Sequence, residues 1–292
     1  MFIFRPVARS TIATDTIMLL FGGRLGAGST TSLTTIQTFD GSIRRIFNLA
    51  LSSATSESCA GLIGQDSFIF GGNYSTVHKV TGMTSAATSA TYPSTSVGRS
   101  SCTSNGSAIW LFGGYDASNL ARNFIFIFNG SVATLQAAAL SVGSSKSTSS
   151  LLSGVAYIFG ASNNTAIETF NGTTRASALI GLAASQEYGS STALSSLIWI
   201  FGGDSYSNQI KTYNGITYST LGVVLSFGNL LSTALTFSSD PFLFGGTDGS
   251  TAFNTIQRWT AGVASSNGAT LSTANFAMCG TSPTALQSTS LT

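Results

Sequence analysis

The sequence predicts an all-β fold, a six-bladed β-propeller with four antiparallel strands in each blade. An apolar run ending in Phe-Gly-Gly recurs along the chain, and a second run ending in Asp-Gly or a related turn pair follows each copy. The spacing of the copies lies in the range of propeller blades, roughly 40 to 50 residues. The composition agrees with this fold. Only 8% of the 292 residues are charged, too few to cover the solvent-facing sides of helices.

The first run is apolar and rich in β-branched and aromatic residues, which is typical of a strand buried on both faces. The glycine pair is expected to supply positive φ or a close backbone approach where that strand ends. In the fourth copy, Gly160-Ala161 replaces the doublet. The six copies span residues 17–23, 68–72, 109–114, 157–161, 198–203 and 242–246.

The second run alternates in the first unit and therefore predicts a half-exposed strand, with Ile36 and Thr38 on one face and Gln37 and Phe39 on the other. The Asp-Gly or Asn-Gly pair that ends the run predicts a tight hairpin turn in which both residues take positive φ. Short strands are expected after these turns, for example at 42–46, 131–135 and 216–220. The six copies of the run span 36–41, 77–82, 125–130, 167–172, 210–215 and 256–262.

Segments of small residues precede the apolar runs and predict the innermost strands, where converging blades leave no room for large side chains. The chain is thus one propeller domain. Its expected blades are 8–55, 56–98, 99–145, 146–188, 189–230 and 231–270, with 271–292 as a closing or edge-covering segment. Residues 9–15 and 271–286 both resemble inner strands. One is expected to complete the first blade while the other covers an edge, with a partial seventh unit as the alternative.

One stretch, residues 221–237, is apolar and uncharged, as in a membrane-spanning helix. Gly, Ser, Asn and Thr interrupt it, so we expect a buried strand pair and no membrane insertion. The N-terminal apolar run stops at Arg5, which is too short for the core of a signal peptide and predicts synthesis in the cytoplasm. The three cysteines are too few for the disulfide framework of a secreted chain of this length.

The paired runs resemble the kelch-repeat β-propellers over nearly the whole chain. The glycine doublet matches that family's signature, and the aromatic-Asp/Asn-Gly turn stands where the family often has Tyr-Asp-Pro. The chain departs from the pattern where Ile46 and Leu135 replace the family's Trp, and where Val80-Thr81 replaces the aromatic pair. The resemblance extends to degenerate kelch-like proteins of tailed phages. It implies a propeller that binds other proteins.

Residues for catalysis are scarce. His78 is the single histidine, which predicts a structural or surface role rather than a catalytic one. Cys59 and Cys102 occupy matching places in adjacent blades and are interpreted as small filler near the axis, with a redox pair as the alternative. We therefore expect no enzyme activity, no metal site and no cofactor. A net charge of +2 without a basic stripe argues against nucleic-acid binding. The Asn-x-Ser/Thr matches are interpreted as turn asparagines.

The loops after the glycine pairs vary in length, and length variation on a rigid scaffold is where binding residues usually lie. Their Tyr and Asp side chains can stack on and hydrogen-bond a sugar, or contact a partner protein. The candidate binding residues are Arg24, Tyr74, Tyr115, Asp116, Arg122, Asp204, Tyr206 and Asp248.

The leading functional hypothesis is a non-enzymatic binding or structural propeller on the surface of a virus particle, as a capsid decoration, tail or fibre protein. A Ser/Thr/Gly-rich chain poor in charge suits a protein made in the cytoplasm and exposed once the virus leaves the cell. Its expected partners are virion components or a cell-surface receptor, and glycans are a further class. The alternatives are a kelch-type interaction adaptor, which would be cytoplasmic, and a carbohydrate-binding propeller.

Overall fold

The computed structural model describes residues 14–287, except 27–28, 73–74, 83, 92–97, 117, 162–163 and 261–262. Within these residues the strands form six four-stranded antiparallel sheets and one short two-stranded sheet, and no residue is helical. Each four-stranded sheet is one blade. The predicted all-β, six-bladed propeller is therefore confirmed.

The strands in the first half of the chain belong to blades 1, 2 and 3 and to the beginning of blade 4, apart from Arg24–Leu25, which is one strand of the two-stranded sheet. In chain order they are β1 (Thr14–Phe21), β2 (Arg24–Leu25), β3 (Leu33–Phe39), β4 (Arg44–Thr55), β5 (Ser58–Ile63), β6 (Asp66–Gly71), β7 (Thr76–Thr81), β8 (Thr84–Thr91), β9 (Ser101–Ser104), β10 (Ile109–Phe112), β11 (Ile125–Phe128), β12 (Ala133–Leu135) and β13 (Thr148–Leu152).

The strands in the second half complete blade 4, form blades 5 and 6, and return to blade 1. They are β14 (Val155–Ala161), β15 (Asn164–Phe170), β16 (Arg175–Ser177), β17 (Ser190–Leu194), β18 (Leu197–Phe201), β19 (Gln209–Tyr213), β20 (Tyr218–Val224), β21 (Thr233–Phe237), β22 (Asp240–Phe244), β23 (Thr255–Thr260), β24 (Val263–Thr270), β25 (Asn275–Phe276) and β26 (Cys279–Gln287). Of these, β25 pairs with β2 in the two-stranded sheet.

The two ends of the described chain meet in blade 1, whose strand order is β26-β1-β3-β4. The C-terminal strand β26 is innermost and pairs antiparallel with β1 from Phe21↔Cys279 to Thr14↔Gln287. The segment 9–15 was expected to be an inner strand. Its residues Thr14 and Asp15 instead belong to β1, the second strand of the blade, and its remainder lies outside the described residues. Hydrogen bonds between β26 and β1 therefore close the ring.

The apolar runs form the second strand of each blade and are buried on both faces, as predicted, except that Tyr157 and Trp199 are half-buried. All four residues of β10 are buried, for example. Neighbouring blades pack through aromatic side chains: the Phe39 ring of blade 1 meets Phe242 and Phe244 of blade 6 edge to face, with ring centroids 5.3 and 5.4 Å apart. Burying a large apolar side chain contributes about 1.5 to 3 kcal/mol, so these seams supply much of the driving force for ring formation.

The glycine doublet allows the chain to pass very close to its own next connection. At Gly113, φ is +60°, and a Cβ added there would lie 1.9 Å from the carbonyl oxygen of Ser144 in the segment leading to the next blade. The next residue, Gly114, donates its N–H to that same oxygen at 2.6 Å. The doublet is thus required by a backbone-to-backbone contact between one blade and the connection that leaves it.

The third strands differ from the half-exposed prediction, since Gln37 and Thr38 are as buried as the apolar residues beside them. The reason is that a polar side chain on the third strand forms a hydrogen bond with the segment that follows the outer strand of the preceding blade. Gln37 Oε1 accepts the backbone N–H of Ser272 at 3.0 Å, and Gln257 accepts that of Ser226 at 3.2 Å. Buried polar groups that are hydrogen-bonded in this way hold adjacent blades in register.

The Asp-Gly and Asn-Gly turns are present, but only the glycine takes positive φ, with 94° at Gly41. The predicted pair of positive φ values is wrong because the Asp or Asn side chain closes the turn. Asp40 Oδ1 accepts the backbone N–H groups of Ser42 and Ile43 at 2.9 and 2.6 Å. Asn129 makes the same two bonds in blade 3, which supports its interpretation as a turn asparagine.

The apolar stretch 221–237 is divided between two strands, β20 and β21, as predicted in kind. The expectation that both are buried is wrong for β20, where Val223 and Val224 are 37% and 45% exposed. As the last strand of blade 5, β20 has no further strand of that blade beyond it. None of the described residues forms a helix long and apolar enough to cross a membrane.

Candidate functional site

A ring of six residues encircles the end of the propeller that carries the glycine-doublet loops, which we call the loop face. Each blade contributes one residue, which lies one or two positions before the start of its inner strand and has a left-handed φ between 54° and 63°. Residues other than glycine seldom adopt this backbone conformation, and it persists only where the surrounding structure enforces it. The six residues, called the mouth ring below, are Glu57, Arg99, Lys146, Tyr188, Leu231 and Ala277.

Backbone hydrogen bonds join the mouth ring into a closed circle. Each member donates its N–H to the carbonyl oxygen of the member in the preceding blade, at 2.7 to 3.0 Å. For example, Arg99 donates to Glu57, Lys146 to Arg99 and Tyr188 to Lys146. This circle satisfies backbone groups that would otherwise be buried without partners, and it fixes the left-handed residues. The side chains of the ring are thereby placed around the entrance of the central channel.

The charged part of the entrance is centred on Glu57. Its carboxylate accepts two bonds from Arg99, at 2.6 and 3.2 Å, and lies 3.3 Å from the guanidinium of Arg24. Arg24 also donates to the hydroxyl of Ser56 at 3.2 Å. Burial of Arg99 alone would lower the pKa of its guanidinium, but the hydrogen bonds and charge of Glu57 outweigh burial and raise that pKa. Arg99 is therefore a fixed positive charge at the entrance.

A series of cations and aromatic rings continues around the entrance from Arg99. The Arg99 guanidinium lies 5.4 Å from the ring centre of Tyr115 and 5.8 Å from that of Tyr188. The Lys146 ammonium is 4.7 Å from the centre of the same Tyr188 ring and 3.3 Å from Glu187. Cation–π contacts of this kind hold long side chains in one arrangement. The entrance thus presents positive and aromatic groups together in one arc.

The opposite arc is apolar, since Leu231 and Ala277 complete the ring. The entrance opens into a cavity of about 160 Å³ that all six ring members line. A second, wider cavity of about 550 Å³ lies towards the other end of the axis. The two share small lining residues from every blade, among them Ala60, Ser149 and Gly280. The small inner-strand residues of the sequence therefore surround a central channel.

The structure brings two of the eight predicted binding residues to this entrance, Arg24 and Tyr115. Asp116 and Arg122 form an ion pair with each other within their own loop. Asp248 closes a turn by accepting the N–H groups of the two residues that follow Gly249.

Two further predicted residues, Asp204 and Tyr206, lie in one loop of the loop face. Both have positive φ, and Tyr206 is 47% exposed with its ring against Gly249. Tyr74 lies outside the described residues. These loop residues therefore form a rim around the entrance rather than a single cluster.

Sequence reasoning missed the main residues of the entrance, Glu57, Arg99, Lys146, Glu187 and Tyr188. A signal for four of them was available. A charged or aromatic residue stands directly before a small inner-strand residue in four consecutive repeats, in the pairs Glu57-Ser58, Arg99-Ser100, Lys146-Ser147 and Tyr188-Gly189. Residues at equivalent positions of consecutive repeats lie at the same height along the propeller axis, so these side chains are expected to surround it together.

Of the structural and surface roles expected for His78, its burial supports the structural one. It is buried on β7, and its two ring nitrogens form hydrogen bonds with the hydroxyls of Ser52 and Ser53 in the preceding blade, at 3.1 and 2.9 Å. Burial lowers the pKa of its imidazole. Among the residues that the structure describes, no three His, Cys, Asp or Glu side chains are grouped so as to hold a metal ion.

Comparison with known proteins supports the fold alone. No protein-family model and no curated protein matches the chain. A solved structure described as "Structure of YjhT", a propeller, is similar with a TM-score of 0.68 and 11% sequence identity, over 78% of this chain and 87% of that one. At this identity the likeness shows a shared β-propeller fold. The kelch and phage resemblances remain predictions from the sequence.

Proposed function

We propose that this chain is a non-enzymatic binding propeller on the surface of a virus particle, where it contacts a partner protein through the loop face around the channel entrance. A β-propeller fold is compatible with such a binding or structural role. The observation that carries the proposal is the entrance itself. Glu57, Arg99 and Lys146 gather there on a rigid hydrogen-bonded ring, in a protein with only 8% charged residues.

The entrance has the composition of a protein-binding surface. Arg and Tyr dominate the residues whose truncation most weakens protein interfaces, and Arg99 lies here between Tyr115 and Tyr188. The neighbouring Leu231 adds an apolar part. The ion pairs and cation–π contacts hold the side chains in place before a partner arrives, which lowers the entropy lost on binding.

The remaining surface supports exposure on a particle. The outer strands carry mainly Ser, Thr and aliphatic side chains, with long edge strands such as β4 and β20. On a virus particle outside the cell, the chain meets few cytoplasmic proteins for most of its lifetime. Such a chain does not need the dense Lys and Glu cover of most soluble surfaces.

The test is to purify particles of the source virus that carry the chain or a variant, and to measure the amount of chain per particle by quantitative mass spectrometry. Arg99→Gln is expected to lower the occupancy strongly. The matched control is Arg258→Gln, which removes an arginine that likewise pairs with a carboxylate, Asp240, and lies 5.8 Å from an aromatic ring, Phe242, but away from the entrance. Absence of the wild-type chain from purified particles contradicts virion association, and equal loss with both variants contradicts the loop face as the contact.

Carbohydrate binding is a second candidate, favoured by the exposed ring of Tyr206. This ring is 47% exposed and lies in the same loop as Asp204, an arrangement that suits stacking on a sugar with hydrogen bonds to its hydroxyls. A glycan array with the purified chain tests it. Binding that Tyr206→Ala abolishes supports this candidate, and an array without binding contradicts it.

A further inference from the structure

The chain has three free cysteines, and all three lie on inner strands of consecutive blades and line the channel. Cys279 is on β26 of blade 1, Cys59 on β5 of blade 2 and Cys102 on β9 of blade 3. The proposed function uses none of them. The three cysteines are not in equivalent positions, because two of them, Cys59 and Cys102, face the same interface between blades.

Cys59 and Cys102 both belong to the apolar cluster that joins blades 2 and 3. In this cluster they accompany Phe68 and Phe70 from one blade and Leu111 from the other. Cys279 belongs to a different cluster, between blades 1 and 2. Since each side chain in a strand points to one face of its sheet, Cys59 is directed from blade 2 towards blade 3 and Cys102 in the opposite direction.

The backbone holds strands β5 and β9 close together above and below the two thiols. On the loop-face side, Arg99 donates its N–H to the carbonyl oxygen of Glu57 at 2.8 Å. At the other end, Ile63 and Gly106 form a parallel β-bridge, and the hydroxyl of Ser104 donates to the carbonyl oxygen of Leu62. These bonds hold the two strands side by side on either side of Cys59 and Cys102, and a disulfide between them requires Cα atoms about 4.4 to 6.8 Å apart.

The two thiols pack in one apolar cluster and can be reached from the channel. The sulfur of Cys59 is 3.7 Å from the hydroxyl of Ser100 in blade 3, two residues before Cys102. Both cysteines line the cavity of about 160 Å³ below the entrance, and Cys102 also lines the wider cavity beyond it. A molecule as small as a peroxide can therefore approach them without unfolding of the blades.

We propose that Cys59 and Cys102 are an oxidisable pair that forms a disulfide across the seam between blades 2 and 3 when the protein meets a peroxide. One thiolate attacks a peroxide oxygen, which breaks the O–O bond and gives a sulfenic acid and hydroxide. The second thiol then attacks that sulfur, a disulfide forms, and the oxygen leaves as water. With hydrogen peroxide, two thiols and one peroxide give one disulfide and two waters.

The expected consequence is a covalent link between two blades that otherwise meet through noncovalent contacts, namely packing, hydrogen bonds and the Glu57–Arg99 ion pair. It restrains the unfolded chain and so raises the thermal midpoint of the oxidised protein. Burial raises the pKa of the Cys102 thiol well above its ordinary value, so little thiolate is present at neutral pH. Oxidation is expected to be slow near pH 7 and to accelerate as the pH rises, because the thiolate is the reactive form.

The experiment treats the wild-type chain with hydrogen peroxide between about pH 7 and about pH 9, then blocks the remaining thiols with an alkylating reagent and maps the peptides by mass spectrometry. The proposal predicts a cross-linked peptide containing Cys59 and Cys102, one remaining alkylated thiol at Cys279, and reversal by dithiothreitol. Cys279→Ser is the matched control and is expected to keep the cross-link. Cys59→Ser is expected to lose both the cross-link and the rise in thermal midpoint.

Three results overturn the proposal. The first is a cross-link between Cys59 and Cys279 in place of the expected pair. The second is conversion of Cys59 to a sulfinic or sulfonic acid while Cys102 stays reduced, which means that the second thiol does not reach the sulfenic sulfur. The third is recovery of all three thiols in reduced form after peroxide treatment across the whole pH range.

Discussion

Replacing Gly113 with Ala tests the physical reason for the glycine doublet that defines the repeat. Two costs are expected. A residue other than glycine at left-handed φ costs about 1 to 2 kcal/mol. In addition, the new Cβ would lie 1.9 Å from the carbonyl oxygen of Ser144, so the connection must move and the bond from Gly114 to that oxygen is lost, for about 1 to 3 kcal/mol more. The free energy of unfolding should fall by about 2 to 5 kcal/mol in total.

Gly64→Ala is the matched control, because Gly64 has the same φ of +60° and nothing within 4 Å of an added Cβ. It carries the backbone cost alone and should lower the free energy of unfolding by about 1 to 2 kcal/mol. Both values are measured by guanidinium chloride titration followed through tryptophan fluorescence. Equal destabilisation by the two substitutions would refute the close approach between blade and connection as the reason for the doublet.

Three further predictions concern the seams and the entrance. Phe39→Ala removes a fully buried ring between blades 1 and 6 and is expected to cost about 3 to 5 kcal/mol in chemical denaturation, whereas a cost below about 1 kcal/mol would contradict the packing described. A double-mutant cycle with Glu57→Gln and Arg99→Gln should give a coupling of about 1 to 2 kcal/mol, and additive effects would show that the pair is not formed. Burial lowers the pKa of His78 below its ordinary value of 6.5, so its contribution to stability is present above that pH and is lost as the pH falls through the lowered pKa. The thermal midpoint of wild type should therefore drop more on acidification than that of His78→Gln, and parallel curves would contradict the assignment.

The repeat made the architecture predictable from the sequence. Six copies of two linked runs specify six blades, and the uniformly apolar run correctly predicted strands such as β10 that are buried on both faces. The burial of Gln37 could not be predicted from alternation alone. Its strand is covered by the connection of the preceding blade, and that contact depends on how two repeats pack rather than on the pattern within one.

The entrance was less predictable for the same reason. Arg99 and Glu57 are 42 positions apart, and their contact follows only from placing equivalent residues of adjacent blades around one axis. In the loops that the sequence predicted to bind a partner, such as the one with Asp248, the polar side chains mainly close the loops' own turns. Local turn formation and ligand binding favour the same residue types, so composition alone does not separate them.

The most direct test of the proposed function compares lysine reactivity on the free chain and on the chain bound to particles. Lys146 lies in the mouth ring, whereas Lys79 is paired with Asp66 on strands away from the entrance. Both are labelled with an amine-reactive reagent and quantified by mass spectrometry. Our account predicts that Lys146 is protected on particles while Lys79 reacts as in the free chain. Protection of Lys79 without protection of Lys146 would contradict the loop face as the binding surface.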